Sequence, residues 1–222
     1  MPTKSTDLTF GGELIMQCTS VLRILGPVAL LVSACGGPVA GSGAEGTSLE
    51  AAADSPADFG PVPDFRLVDQ TGREFTRGDL AGHPFVAAAI FTTCAGPCPR
   101  ITGAMRDLQE HLSDTDVRFV SISVDPEYDT PEVLTRYAQT WGADVDRWVF
   151  LTGEPTSVYG FVHEGLWLAA QEDPEAPRGF QVVHRTTLVA VDRQGRRRGW
   201  YEGTDPTAVG RLRERLRFLA SE

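Results

Sequence analysis

The chain has 222 residues, a formal net charge of −10 at pH 7 and four cysteines. This acidic balance argues against nucleic acid as a partner, because its phosphate groups would be repelled. The length is that of one domain with additional terminal segments, and the sequence contains no internal repeat. A domain of this size can bury a stable core without disulfides, so its cysteines are candidates for chemistry.

The N-terminal segment predicts export from the cytoplasm and attachment to a membrane. Arg23 precedes an apolar run and then small residues, the pattern of a bacterial signal peptide, for which Met16 is an alternative start. The run is too short to span a bilayer as a stable helix. Residues 31–35 resemble a lipobox, which predicts that residues 1–35 are a signal peptide and that Cys35 is lipidated. An uncleaved N-terminal anchor is the alternative, and either arrangement places the protein on the extracytoplasmic (periplasmic) side.

A linker and one globular domain are predicted after this segment. Residues 36–59 are rich in Gly, Ala, Ser and Pro without apolar periodicity, which indicates a flexible linker. Residues 60–222 form the predicted domain, whose cysteines are Cys94 and Cys98. In an oxidising compartment such a pair forms a disulfide unless something reduces it, so a thiol reductant is a predicted partner.

Hydrophobic patterns predict alternating strands and helices in this domain. An alternating stretch with a turn and a return strand indicates a hairpin, and continuous apolar runs indicate buried strands. The elements expected first are a hairpin at 65–76, a strand at 85–91, a helix at 99–112, a strand at 117–124 and a helix at 131–141. A strand at 148–151, a short helix at 155–163, paired strands at 186–191 and 198–201, and a helix from 205 follow. This order predicts an α/β, thioredoxin-like fold, with a central mixed sheet flanked by helices and an N-terminal hairpin extension.

Cys94 and Cys98 lie where the strand at 85–91 runs into the helix at 99–112. Open α/β sheets place their chemistry at the carboxyl ends of central strands. Pro99 can take the first helical position, so both sulfurs are expected near a helix N-terminus, which favours thiolate over thiol. The alternative is that the cysteines form a local structural disulfide, which gains little stability in so short a loop, or are simply two buried small side chains.

The spacing of the two cysteines and the available histidines limit which reactions or metal ions the pair can support. Three residues separate the cysteines, whereas the generic redox motif has two, so they can form a disulfide or chelate a soft ion such as Cu(I) or Zn(II). Two ligands are too few for zinc, and a third donor is needed. We expect His184, because it directly precedes a strand that should neighbour the strand before the cysteines; a core histidine bonded to a carbonyl is the alternative. His83 and His111 are expected on the surface and His163 as a helix C-cap.

Three segments together resemble the Sco (SenC) family of copper-handling proteins. The Cys-x-x-x-Cys-Pro segment after Phe-Thr, the Ser-Val-Asp-Pro-x-x-Asp-Thr-Pro run at 123–131, and the late histidine before a Thr-rich strand match over about residues 60–222. The resemblance implies one copper ion per chain, held by Cys94, Cys98 and His184. It also implies assembly of the dinuclear copper centre of cytochrome c oxidase, with the subunit of that centre, a copper donor and a thiol reductant as partners.

The chain departs from the usual family pattern around the histidine. Family members have Asp before it and Ser or Thr after it, where this chain has Val183 and Arg185. These changes are expected to weaken copper binding or to favour the less charged ion. Asp125 and Asp129 are expected to shape their loop and to cap the following helix, with Thr130 as the other candidate cap.

Three functions stay open on the sequence alone. The first is a copper chaperone with three ligands, and the second is a membrane-tethered thiol–disulfide oxidoreductase that uses the same cysteines without copper. No proline lies between Pro177 and Pro206, where thioredoxin-like oxidoreductases place a cis-proline, which favours metal binding. A thiol peroxidase ranks last, because no proline accompanies Thr92 and Thr93 ahead of Cys94.

Overall fold

The computed structural model describes residues 57–173, 175–177, 179–180 and 182–222, with only the backbone at 172 and 183. The predicted signal peptide, Cys35 and most of the predicted linker lie outside the described residues. Within the described residues, no helix is both long and apolar enough to cross a bilayer.

Nine strands are assigned in the described part of the chain. They are β1 (Arg66–Asp69), β2 (Glu74–Thr76), β3 (Phe85–Ile90), β4 (Arg118–Ser123), β5 (Trp148–Thr152), β6 (Ala170–Glu172), β7 (Val182–His184), β8 (Thr187–Val191) and β9 (Arg197–Glu202). Seven form one mixed sheet in the order β2-β1-β5-β4-β3-β8-β9. Strands β3, β4 and β5 run parallel, whereas β8 lies antiparallel to β3. Strands β6 and β7 form a separate antiparallel pair, here called the histidine hairpin.

Four α-helices flank the sheet within the described residues, and each has a proline in its first two positions, where a missing N–H costs no hydrogen bond. They are α1 (Cys98–His111), α2 (Pro131–Trp141), α3 (Pro155–Gly160) and α4 (Pro206–Ser221). A π-helical turn at Phe161–Gly165 continues α3. The Thr130 hydroxyl accepts from the N–H of Val133 at 3.4 Å and caps α2, so the alternative assignment of this cap to Asp129 is wrong.

The core lies between the sheet and the helices. All six residues of β3 are buried, as expected for a central strand covered on both faces. Helix α1 packs against β3, α2 and α4, and α4 also packs against β8 and β9 through its buried leucines, Leu212, Leu216 and Leu219. The molecule therefore has the expected thioredoxin-like arrangement, with the hairpin β1–β2 at one edge.

The histidine hairpin is the element that sequence patterns do not predict. His184 lies just before β8, as expected, but it also ends the short strand β7, which the sequence patterns do not predict. Strands of three residues are too short to display a hydrophobic period. The neighbouring prediction, that the following strand pairs with the strand leading to the cysteines, is confirmed by the β3–β8 ladder.

Candidate metal centre

The cysteine loop, residues 91–98, leads from the end of β3 into α1. Cys98 is the first residue of α1 and is fully buried, whereas Cys94 is half-buried. The N–H of Cys94 donates to the carbonyl of Phe91 at 3.2 Å, which curls the chain directly after the strand. Both cysteines are free, and the two thiols are hydrogen-bonded to each other, so this pair is not a structural disulfide here.

The histidine hairpin brings His184 to this pair. Its Nε2 lies 3.2 Å from Cys98 Sγ, and the ring also forms a hydrogen bond with Cys94. On the other side of the ring, Nδ1 lies 3.1 Å from the carbonyl oxygen of Arg185. Phe91 contacts the imidazole edge to face at a centroid distance of 5.8 Å. The two sulfurs and the nitrogen predicted as ligands are therefore in mutual contact.

These three side chains contact one another rather than surround a space. Over the residues that the structure describes, no group of three or more His, Cys, Asp and Glu side chains has the arrangement of a metal cage. Two sulfurs and one imidazole nitrogen are nonetheless the donor types that copper ions take in proteins. An ion would fit this donor set if the hydrogen bonds among the three side chains were exchanged for bonds to the metal.

The two thiols differ in their protonation. The Cys98 thiol donates to Cys94 and, with His184 and the backbone N–H groups of Cys98 and Gly96, lowers the pKa of Cys94 to about 4, although burial opposes the shift. The same hydrogen bond, together with the burial of the Cys98 side chain, raises the pKa of Cys98. The expected preference for thiolate at the helix start therefore agrees with the lowered pKa of Cys94, whereas the shared hydrogen bond and burial outweigh it at Cys98. In this pair the thiolate is favoured at Cys94 and the thiol at Cys98.

A buried carboxylate holds the cysteine loop in place. Asp129 is fully buried and accepts hydrogen bonds from the Thr92 N–H at 3.0 Å, from the Thr92 hydroxyl and from the Ser123 hydroxyl at 2.5 Å. Burial raises the pKa of Asp129. This residue therefore joins the loop ahead of Cys94 to the end of β4. Asp125 shapes its turn, as expected, since its carbonyl accepts from the N–H groups of Tyr128 and Asp129.

The remaining histidines have other partners. His83 Nδ1 lies 3.4 Å from Asp116 Oδ2, and exposed His111 bonds through Nδ1 to the carbonyl of Asp107. His163 does not act as the expected C-cap, because its Nε2 contacts the backbone of Ala170, 2.9 Å from the carbonyl oxygen. None of these contacts involves the two cysteines.

An open cavity of about 670 Å³ adjoins the imidazole of His184. Its lining consists of His163, Trp167, Leu168, Ala169, Ala170, Gln171, His184 and Arg185. His184 is partly exposed and lines this cavity, whereas Cys98 is fully buried.

Comparison with known proteins agrees with this geometry. The SCO1/SenC family model matches residues 53–217. The SCO1 protein homolog of Bacillus subtilis (strain 168) is 34% identical over 148 residues, which cover 66% of this chain and 76% of that protein. The structure of BsSco, described as a member of the Sco family of cytochrome c oxidase assembly proteins with a disulfide switch, has a TM-score of 0.65 at 30% identity and covers 75% of this chain and 96% of its own.

A copper-bound structure shares the fold at lower identity. ScoI of Bradyrhizobium japonicum, solved with copper bound, has a TM-score of 0.56 and 24% identity, covering 72% of this chain and 99% of its own. At this identity the likeness concerns the fold alone. Since the family model spans more than half of the sequence, the chain belongs to the SCO1/SenC family.

Proposed function

We propose that this protein is an extracytoplasmic copper chaperone that carries one copper ion on Cys94, Cys98 and His184. The observation that carries the proposal is the 3.2 Å contact between His184 Nε2 and Cys98 Sγ, which joins residues 86 positions apart. Two thiols and an imidazole meeting at the carboxyl end of a central strand form a soft donor set. The copper-handling role implied by the family resemblance supports copper as the cargo.

The protonation of the pair suits loading and release of such an ion. Cys94 offers a thiolate at neutral pH, whereas Cys98 gives up its proton when the metal binds, because a thiol does not ligate. Loading therefore releases one thiol proton. Zinc is a poorer cargo, because a stable zinc site takes four ligands and this donor set has three.

Transfer by ligand exchange can begin at the partly exposed ligands, Cys94 and His184. Cys98 is buried, and the cavity beside His184 admits an incoming donor group on the nitrogen side. The recipient we propose is the copper-centre subunit of cytochrome c oxidase, with a separate copper donor upstream. The description of BsSco as a cytochrome c oxidase assembly protein supports this choice of partner.

Membrane attachment through Cys35 is part of the proposal. The small residues before Cys35 and the apolar run after Arg23 support a lipoprotein on the periplasmic side of the membrane. Cys35→Ser should release the protein from the membrane fraction or block its processing. Unchanged fractionation and migration of this variant would contradict lipidation.

A second candidate function is reduction of disulfides, favoured by the low pKa of Cys94. The Cys94 thiolate would attack a substrate disulfide and form a mixed disulfide, and the Cys98 thiol would then lose its proton, attack Cys94 Sγ and release the substrate dithiol. The reaction leaves a Cys94–Cys98 disulfide, so an external thiol reductant must restore the pair. The disulfide switch described for BsSco supports this chemistry as an alternative.

Copper titration of wild type, His184→Ala and His111→Ala separates the two functions. The chaperone predicts one tightly bound ion in wild type and in His111→Ala, whose exposed histidine is the matched control, with weak binding in His184→Ala. In a separate rate measurement, the oxidoreductase predicts that His184→Ala still reduces a disulfide substrate, because neither exchange step uses the imidazole as a reactant. Equal copper affinity in all three proteins would overturn the proposed ligand set.

A further inference from the structure

Within the described residues, no backbone ladder joins the histidine hairpin to the main sheet. Among the described strands, β6 and β7 pair with each other in the register Ala170↔His184 and have no ladder to the other seven. A ligand on a central strand would be held by hydrogen bonds on both sides. The distance from His184 to the cysteines therefore depends on contacts that fasten the hairpin elsewhere.

One contact that holds the hairpin in place lies in the connection between β6 and β7. The N–H of Ala95, the residue after Cys94, donates to the carbonyl of Gly179 at 3.1 Å. Gly179 is buried and has φ +93°, a conformation that favours glycine. A Cβ at this position would lie 3.0 Å from the carbonyl oxygen of Thr93 and 3.2 Å from the Cβ of Ala95. The absence of a side chain thus lets the connection rest directly on the cysteine loop.

A second group of contacts holds the opposite end of the hairpin. His163 Nε2 is 2.9 Å from the carbonyl oxygen of Ala170, the residue paired with His184. The N–H of Arg185 donates to the carbonyl of Ala169 at 3.2 Å and closes the same end. The backbone beside His184 is thereby joined to the π-helical turn at Phe161–Gly165.

We propose that Gly179 is a positioning residue, which holds the histidine hairpin against the cysteine loop and so places His184 beside Cys98, while His163 holds the opposite end. The consequence for copper affinity rests on the proposed function; the placement of His184 does not. Residues that orient metal ligands without touching the ion change affinity by about 10- to 100-fold when they are replaced.

The test compares Gly179→Ala with Gly72→Ala in the reduced chain. Gly72 has φ +82° and no heavy atom within 4 Å of its would-be Cβ, so its variant carries the backbone strain without a contact to the site. Gly179→Ala should bind copper about 10- to 100-fold more weakly than wild type, and Gly72→Ala within about twofold of it. Without copper, Gly179→Ala should shift the NMR signals of the His184 ring and speed hydrogen exchange at the Ala95 amide by about tenfold.

The outcomes separate this inference from the proposed function. Copper affinity of Gly179→Ala within twofold of wild type, or an unmoved His184 ring, would overturn the positioning role. If wild type binds no copper, the proposed function fails, and the metal-free ring shift and amide exchange decide the positioning role.

His163 gives an independent check that does not alter Gly179. His163→Phe keeps a ring but removes the nitrogen that contacts Ala170, whereas His163→Gln keeps a hydrogen-bonding group. His163→Phe should shift the His184 ring signals and weaken copper binding about tenfold, with partial recovery in His163→Gln. Identical ring shifts and affinities in wild type and His163→Phe would remove His163 from the role.

Discussion

The cysteine loop and the histidine hairpin meet at one point but are held in different ways. The loop lies between a fully buried central strand and α1, and the buried carboxylate of Asp129 joins it to β4. The hairpin has two strands of three residues each, outside the seven-stranded sheet. It contacts the cysteine loop through the hydrogen bond from Ala95 to Gly179 and through the contact of His184 with Cys98. Two ligands thus stand beside the central sheet, while the third stands on a short hairpin outside that sheet, whose buried residues Ala170 and Val182 join the core. An ion carrier gains from this division, because exchange can begin at one ligand while the other two stay fixed.

Replacing one of the two cysteines should reduce copper affinity more than any other single substitution. Cys94→Ser or Cys98→Ser should abolish tight copper binding, because one thiolate and one imidazole leave a weak site. Cys94 is the cleaner position, since it is half-buried and Cys98 is fully buried. Titration beside thermal unfolding of the same samples checks the result. Full affinity in either variant would show that copper is carried elsewhere.

Oxidation should empty the site without any substitution. A Cys94–Cys98 disulfide removes both thiolates, so copper uptake should fall in proportion to the disulfide fraction. Equilibration in thiol buffers of defined potential, followed by alkylation and copper titration of the same samples, measures both quantities. Constant uptake from the fully reduced to the fully oxidised protein would contradict the shared use of the two sulfurs.

Loosening the loop should weaken the site and the fold together. Asp129→Ala removes the acceptor for the Thr92 N–H and for two hydroxyl groups, so we expect a loss of about 2–3 kcal/mol in the free energy of unfolding. Copper affinity should fall about tenfold as the loop loses its support. Asp107→Ala, at an exposed carboxylate on α1, is the control. Denaturant unfolding that matches wild type would refute the role of Asp129.

The pH dependence should report the single proton of the pair. Between pH 7 and 8.5, Cys94 is already thiolate because its pKa is lowered to about 4, whereas the raised pKa of Cys98 keeps its proton on. Copper must displace that proton, so affinity should rise about tenfold for each pH unit. Competition titrations at fixed free copper measure the slope. If copper affinity does not change with pH, both thiols are already ionised. If it rises a hundredfold for each pH unit, both thiols carry protons.

The charge beside the hairpin ligand should have the smallest effect. Arg185 is exposed, lines the cavity next to His184 and adds a positive charge near a cationic cargo. Arg185→Ala should strengthen binding by about two- to fivefold, as expected for an exposed charge interaction, and more for Cu(II) than for Cu(I). Raising the salt concentration should shrink the difference between variant and wild type. A difference that does not change with salt would assign the effect of Arg185 to packing.

Local sequence patterns determined the part of this site that carries the two cysteines. A continuous apolar run predicts the buried strand β3, and the proline after Cys98 predicts the helix start, because both depend on near neighbours in the chain. The thioredoxin-like order of elements followed from the same kind of pattern, whereas the choice of His184 also used the sheet topology expected for that fold.

Only the tertiary structure decided how the third ligand and the protons are held. The histidine hairpin is too short for a hydrophobic period, and Gly179 matters because a chain segment 84 positions away packs on it through Ala95. Asp129 stands next to a correct cap, Thr130, and only its distant partner Thr92 reveals its different role. The pKa difference between Cys94 and Cys98 likewise depends on burial and on a shared hydrogen bond. Contacts between distant residues leave no local pattern, and this is the physical reason that the sequence alone could not predict them.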